Sequence, residues 1–260
     1  MVSVDQILFV LELMGGLVYG ALEHFRILNT PINKYRSQWL RDWSGQLNAR
    51  AAFVSLYVMG PVGFGIGVFV FGQPARLGAT LFLLHFVKRI VECSCIHIYS
   101  SPMDKFTTMY LALCYIVIGM IFAFDLTLAT PSSQPFGGSD VAVPWTVLWA
   151  LGEAINGFHH WLLSKLRRRN GKAAEENLLQ SEYSLPVGGL FGKLLFPHYM
   201  GEMLAWFATA AIVNRGGVWG LNFFMLGVQC GRCSAGRQWY VEKFGEEAIA
   251  TRSNIIPGVF

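Results

Sequence analysis

A chain of 260 residues that is 53% hydrophobic and only 14% charged, with a mean hydropathy of +0.43, falls well below the roughly 25% charge of soluble domains and reads as an integral membrane protein. Its net charge of +4 is not a nucleic-acid footprint, because the cations sit between apolar segments and form no basic arm or nucleic-acid module. The five cysteines lie mostly in apolar stretches and imply no disulfide framework, and Cys230-x-x-Cys233 is half a zinc signature without its second half, so no metal is expected.

Taken in chain order, the N-terminal "MVSVDQ" lacks the basic region of a cleavable signal. Seven apolar stretches then approach the roughly 20 residues that span a bilayer: residues 7–28, 49–71, 76–98, 106–128, 142–163, 190–213 and a short one at 218–232. The expected fold is therefore all-α, a polytopic membrane helix bundle of about seven transmembrane helices forming a single integral-membrane domain over 1–260. Gly16-x-x-x-Gly20 and Gly63-x-x-x-Gly67 suit close helix packing. Cations follow the first, third and fifth segments (Lys34, Arg36, Arg41 and Arg50; Lys105; Lys165, Arg167, Arg168, Arg169 and Lys172) and the tail (Arg237, Lys243, Arg252). The alternate connections hold only Arg76 and Arg215, and 129–140 holds no cation. The positive-inside rule then places the N-terminus outside and the C-terminus in the cytosol.

Three apolar segments carry polar residues where lipid is expected, and charges there normally face a bundle interior or a wet cavity. His85, Lys88, Arg89 and Glu92 recur at i, i+3, i+4 and i+7, one stripe of a helix. Glu153, Asn156, His160 and Arg167 form a second stripe, and His198, Tyr199 and Glu202 open the sixth segment. Plainer explanations stand beside each: snorkelling for Lys88 and Arg89, a structural hydrogen-bond network for the second stripe, anchoring for Arg167–Arg169, and an interfacial aromatic for Tyr199. Glu12, Glu23 and His24 read as structural. All three clusters lie toward the cytosolic ends, and a cavity of Lys, Arg, His and Asn suits a polyanionic ligand such as a phosphate-bearing cofactor. That pattern points to a membrane enzyme using a soluble cofactor on a lipid.

The pieces "HFVKRIVECSCIHIYSSPM", "INGFHHWLLSKLRR", "YSLPVGGLFGKLLFPHYMGEMLAW" and "RQWYVEKFGEEAIATRSNIIPGVF" resemble, in this order, the steroid 5-alpha-reductase family, which includes trans-2-enoyl-CoA reductases and polyprenol reductases. The resemblance covers roughly residues 77–260. The Lys88-Arg89…Glu92…His97 spacing, and Asn156 with His160, are more similar to the enoyl-CoA branch, and Arg89-x-x-Glu92-Cys93 is shared with polyprenol reductases. The N-terminal half lacks the Gln-Glu pair that steroid reductases use near the substrate ketone, and Phe86 stands where they have tyrosine. His198 replaces an asparagine of the family, and Gly236-Arg237 replaces its histidine before the tail tyrosine.

The resemblance implies NADPH held by Arg89, Asn156, His160, Arg167, His198, Glu202, Arg232, Arg237 and Tyr240. It also implies reduction of a C=C bond conjugated to a carbonyl, most closely a long-chain trans-2-enoyl-CoA of fatty acid elongation, with elongase-complex partners and an endoplasmic-reticulum location. Such chemistry needs a hydride at the β carbon, a proton at the α carbon and an electrophile at the carbonyl oxygen. Tyr199 is the expected proton donor, Lys88 the group that lowers its pKa or polarises the carbonyl, and His85 the second candidate electrophile. Steroid and polyprenyl lipids are alternative substrates. From other classes, "PHYMGE" is loosely similar to the turn of isoprenylcysteine-type methyltransferases that use S-adenosylmethionine, and a non-catalytic lipid binder is a third reading.

Overall fold

The computed structural model describes residues 3–24, 45–72, 74, 76–99, 101–128, 139–175 and 183–260. Among them are seven α-helices: α1 (Val4–His24), α2 (Ala49–Phe71), α3 (Arg76–Val91), α4 (Lys105–Leu128), α5 (Ser139–Glu175), α6 (Pro197–Val213) and α7 (Gly216–Phe244). The cations Lys34, Arg36 and Arg41 and the cation-free residues 129–138 lie outside the described residues. The architecture is all-α apart from a two-residue ribbon, β1 (Gln46–Leu47) pairing antiparallel with β2 (Met103–Asp104), which ties the start of α2 to the start of α4.

The second segment matches α2 residue for residue, because both its ends carry signals. The Asn48 side chain accepts from the Ala51 amide at 3.2 Å, and Gly72 ends the helix at φ 105°, a conformation glycine reaches without steric cost. Elsewhere hydropathy misjudged the ends. The third segment leaves α geometry at Glu92–Ile96 for one π turn, an irregularity frequent at functional sites. The sixth makes a 3₁₀ turn at Gly189–Gly192 and becomes α-helical only at Pro197, whose missing N–H costs nothing in a first turn. The fifth runs on through "SKLRRRNGK" to Glu175, since Lys and Arg are good helix formers once they are out of the apolar layer.

Helices α1 and α7 pack lengthwise, as do α2 with α4 and α5 with α6. A Cβ at Gly16 or Gly20 would strike the backbone of Phe224 or Gly227, and one at Gly63 the backbone of Ile116, so both small-residue motifs do seat close helix pairs. Phe64, Phe82, Phe86, Phe122 and Trp206 fill the centre. A second apolar cluster, Leu195, Phe196, Ile249 and Ile255, fastens the C-terminal tail beneath α6, with Leu195 and Phe196 donating to the carbonyls of Ser253 and Asn254 at 2.8 and 2.9 Å. By length and composition α2 and α4 are the two described helices clearly suited to crossing a membrane; α3, α5 and α6 carry the polar stripes.

Candidate active site

The α3 stripe faces α5 and the start of α6. Glu153 Oε1 lies 2.6 Å from His85 Nδ1, and Lys88 Nζ donates to Glu153 Oε2 at 2.8 Å and to Asn156 Oδ1 at 2.5 Å. Glu92 takes the Lys88 ammonium at 3.3 Å and Arg89 Nη1 at 2.5 Å. Asn156 Nδ2 donates to the His198 carbonyl at 2.9 Å, so one network runs from α3 through α5 to the first turn of α6. His85, Arg89, Glu92, Glu153 and Asn156 are all buried. Gly157 makes room for this: a Cβ there would meet Lys88 Cε at 3.2 Å and Glu92 Oε1 at 3.1 Å. A charge network in a low-dielectric interior is tenable when each ion has its counter-ion and hydrogen bonds, and here the cations and carboxylates alternate.

On the other side of Arg89 lies a cavity of about 360 Å³. Of the residues singled out in the sequence, Arg89, His160, Arg167, His198, Tyr199, Glu202 and Arg232 line it together. Lys88, Asn156, Arg237 and Tyr240 do not, and His85 reaches only a side pocket of about 20 Å³ that shares Tyr57, Tyr115 and Glu202 with the main cavity. The Lys88 ammonium is committed to Glu153, Glu92 and Asn156. Arg237 donates to the Arg252 carbonyl at 2.7 Å and Arg252 to the Pro186 carbonyl at 2.9 Å, which staples the tail. Tyr240 stacks near Phe196 and Phe244, with ring centroids 5.9 and 6.0 Å away.

Along one side of the cavity three imidazoles form a row: His97 to His160 at 4.7 Å and His160 to His198 at 5.0 Å between ring centroids. The π turn presents His97, whose amide closes onto the Glu92 carbonyl at 2.8 Å. Arg167 and Arg50 donate to the carbonyls of Ile98 and Ser94 and hold the segment that follows. His97 Nε2, His160 Nε2, His198 Nδ1 and Arg89 Nε are buried and have no hydrogen-bond partner among the described residues. Buried polar nitrogens are almost always paired, so this set is shaped for a ligand rich in acceptors. Donor atoms of Glu92, His97 and His160 lie within 4.8 Å of one another, but Lys88 and Arg89 already neutralise that carboxylate and Arg50 and Arg167 flank it. Such a field opposes a divalent cation and favours an anion. The donor set thus fits the phosphates of a dinucleotide.

The remaining wall is aromatic and apolar. Tyr19 of α1 and Tyr110, Leu111 and Cys114 of α4 line it, and Tyr110 is 49% exposed on the outside of the bundle. Tyr57, Tyr115, His97 and Gln229 also line the cavity and were not among the expected site residues. His97 had a signal in its spacing from Arg89. A tyrosine in an apolar helix looks like an interfacial anchor from sequence alone, which hid Tyr57.

The helices thus enclose one cavity with a cationic, histidine-lined side and an aromatic and apolar side. Residues 102–260 match the family described as 3-oxo-5-alpha-steroid 4-dehydrogenase, and the chain belongs to that family; it is an oxidoreductase acting on CH–CH groups. It is 26% identical to 3-oxo-5-alpha-steroid 4-dehydrogenase 1 of Mus musculus over 94% of this chain and 93% of the relative. It is equally similar, at 26%, to the uncharacterized protein C9.08c of Schizosaccharomyces pombe, over 95% and 97% of the two chains. Steroid 5-alpha-reductase DET2 of Arabidopsis thaliana is 30% identical over 44% of this chain and 40% of its own. The likeness therefore extends through the N-terminal half, which its own motifs had not placed.

Proposed function

We propose that the protein is a membrane-embedded reductase that uses NADPH to saturate a C=C bond conjugated to a carbonyl in a lipid. One observation carries this reading: a single cavity joins a side where Arg89 Nε and three imidazole nitrogens are buried without a partner among the described residues to a wall of uncharged aromatic and aliphatic side chains. Polyanionic cofactor and apolar substrate need those two surfaces, and they must meet for a hydride to pass. The seven helices form one membrane domain, with Phe69, Met109 and Leu11 turned outward at 91, 68 and 64% exposure toward acyl chains. The N-terminus is lumenal, the C-terminus cytosolic, and the endoplasmic reticulum is the compartment that suits the family.

NADPH supplies the hydride when bound. Arg89, His160, Arg167, His198 and Arg232 hold its phosphates and ribose oxygens as donors, and Glu202 accepts from its hydroxyl or amide groups. Asn156 acts through the His198 carbonyl, and Arg237 and Tyr240 act through the tail that braces Phe196. Tyr199, its ring tilted 49° to that of His198 with centroids 4.3 Å apart, delivers the proton to the α carbon. Lys88 and His85 keep Glu153 in place.

The uncharged wall suits a steroid-type enone, which carries no phosphate and can enter from the bilayer; the relatives' names favour the same class. A second reading, a long-chain trans-2-enoyl-CoA with elongase partners, is supported by the Lys88-Arg89-Glu92-His97 spacing. It needs a further cationic surface for coenzyme A. The test is NADPH oxidation by purified protein offered a steroid enone, a polyprenyl enone or a long-chain trans-2-enoyl-CoA. Turnover with one and a rise in Tm with NADPH, with Tyr199→Phe keeping the rise and losing turnover, is the expected result. A Tm response to S-adenosylmethionine alone, with no NADPH oxidation on any substrate, would overturn it.

A further inference from the structure

The negative charge that builds on the substrate oxygen during hydride addition needs a fixed donor inside the cavity. Lys88 and His85, the two groups first expected there, are both turned onto Glu153. We propose that Tyr57 is that donor and that Arg89 positions it; this rests on the reductase reading above. Tyr57 lines both the main cavity and the side pocket beyond it. Its oxygen accepts from Arg89 Nη2 at 2.8 Å, and the guanidinium carbon lies 4.8 Å from its ring centroid. Tyr115 and Phe86 hold the ring from the sides, with centroids at 5.4 and 6.4 Å.

The direction of the Arg89 bond is what matters. A guanidinium can only donate, so the phenol oxygen is the acceptor and its own hydrogen is left over. Tyr115 is a further side-chain hydrogen-bond neighbour of the phenol, and both phenols line the cavity, where a substrate oxygen can take the Tyr57 hydrogen. A hydroxyl that already accepts from a cation is a stronger donor to the next group in the chain. Arg89 is itself locked by Glu92 on its other nitrogen, so the pair is rigid before substrate arrives, which is the condition for electrostatic preorganisation.

The electron count is simple. A hydride from the reduced nicotinamide forms the new C–H bond at the β carbon. The C=C π pair moves to the bond between the α carbon and the carbonyl carbon, and the carbonyl π pair moves onto oxygen. That oxygen takes the Tyr57 hydrogen bond while Arg89 holds the phenol. The oxygen pair then returns to re-form C=O as the α carbon takes a proton from Tyr199, which regains one from water.

Tyr57→Phe tests this through two readouts. In turnover with NADPH and whichever substrate the wild type reduces, kcat should fall about 100-fold, the usual cost of one such donor, while the NADPH-induced rise in Tm is kept. In the complex with NADP+, which cannot transfer hydride, the absorption band of the bound conjugated carbonyl should shift to longer wavelength in the wild type and return toward its solution position in Tyr57→Phe. A variant that keeps both its kcat and the band shift would overturn the assignment of Tyr57. A wild type that shows the shift but reduces none of the substrates would overturn the reductase reading and leave Tyr57 as the carbonyl anchor. Neither turnover nor shift in the wild type would overturn both.

Discussion

Two groups of ionisable side chains stand back to back across Arg89, and they are spent differently. On the α5 side, Glu153, Lys88, His85, Glu92 and Asn156 satisfy one another. On the cavity side, His97, His160 and His198 each keep a buried nitrogen without a partner among the described residues. A fold can carry the first group because opposite charges offset the loss of water. It has no internal reason to carry the second. The same residue types are thus structural in one place and held open for a ligand a few ångströms away, and Asn156 joins the two by its bond to the His198 carbonyl.

The widest test of this contrast removes the hub of the paired side. Glu153→Ala leaves Lys88 short of one counter-ion and His85 without its acceptor, and breaking a buried pair from one side costs about 3–5 kcal/mol. The expected outcome is a large drop in Tm in detergent, or loss of folded protein, with no need to invoke cofactor. If the apo protein kept its Tm, the network would not be structural and the comparison would fail. Asn156→Leu should be milder, about 1–3 kcal/mol for an unmet carbonyl and a weakened lysine. It alone should also weaken NADPH binding, because the His198 backbone is freed; calorimetric titration beside a thermal melt separates the two effects.

The sequence made the helices and many of the cavity's charged and imidazole residues legible. Spacing alone put His85, Lys88, Arg89 and Glu92 on one face, and all four join one network toward α5, with Arg89 alone of them also lining the main cavity. It could not say that Arg89 turns to the cavity and Lys88 away, because residues at i and i+1 differ by about 100° of helix rotation and only the position of α5 decides which side is which. Nor could it show that Tyr57, 32 residues upstream of Arg89, accepts its guanidinium; long-range pairing leaves no local pattern. The seventh segment was cut at residue 232, where hydropathy falls, whereas α7 continues to Phe244 and ends at Gly245 with φ 83°. Apolar run length measures the bilayer and not the helix.

On the cavity side the expected effects are those of a ligand. His160→Ala removes a ring whose Nε2 has no partner among the described residues, so the apo Tm should move little. NADPH affinity should fall about tenfold, the equivalent of one hydrogen bond at roughly 1.4 kcal/mol. An unchanged dissociation constant together with a lowered apo Tm would move His160 to the structural side.

Tyr240 gives the smallest effect and the finest discrimination. The family resemblance assigns it to the cofactor, yet it packs against Phe196 and Phe244 beyond the end of the predicted seventh span and does not line the cavity. Burial pushes its phenol up from 10.0 to about 12. Between those values the folded chain holds a proton that the unfolded chain has released, so Tyr240 leaves stability level below about pH 10 and erodes it as pH rises toward 12. Tyr240→Phe should remove that part of the alkaline loss in a pH series of thermal melts. NADPH affinity at pH 7 should stay within about twofold of wild type, under 0.5 kcal/mol. A tenfold loss of affinity would mean that the tail closes onto the cofactor and that the ligand-facing group extends further than the cavity lining shows. The alkaline profile would still report the burial of the ring, which raises the phenol against the opposing charges of Arg252 and Arg167.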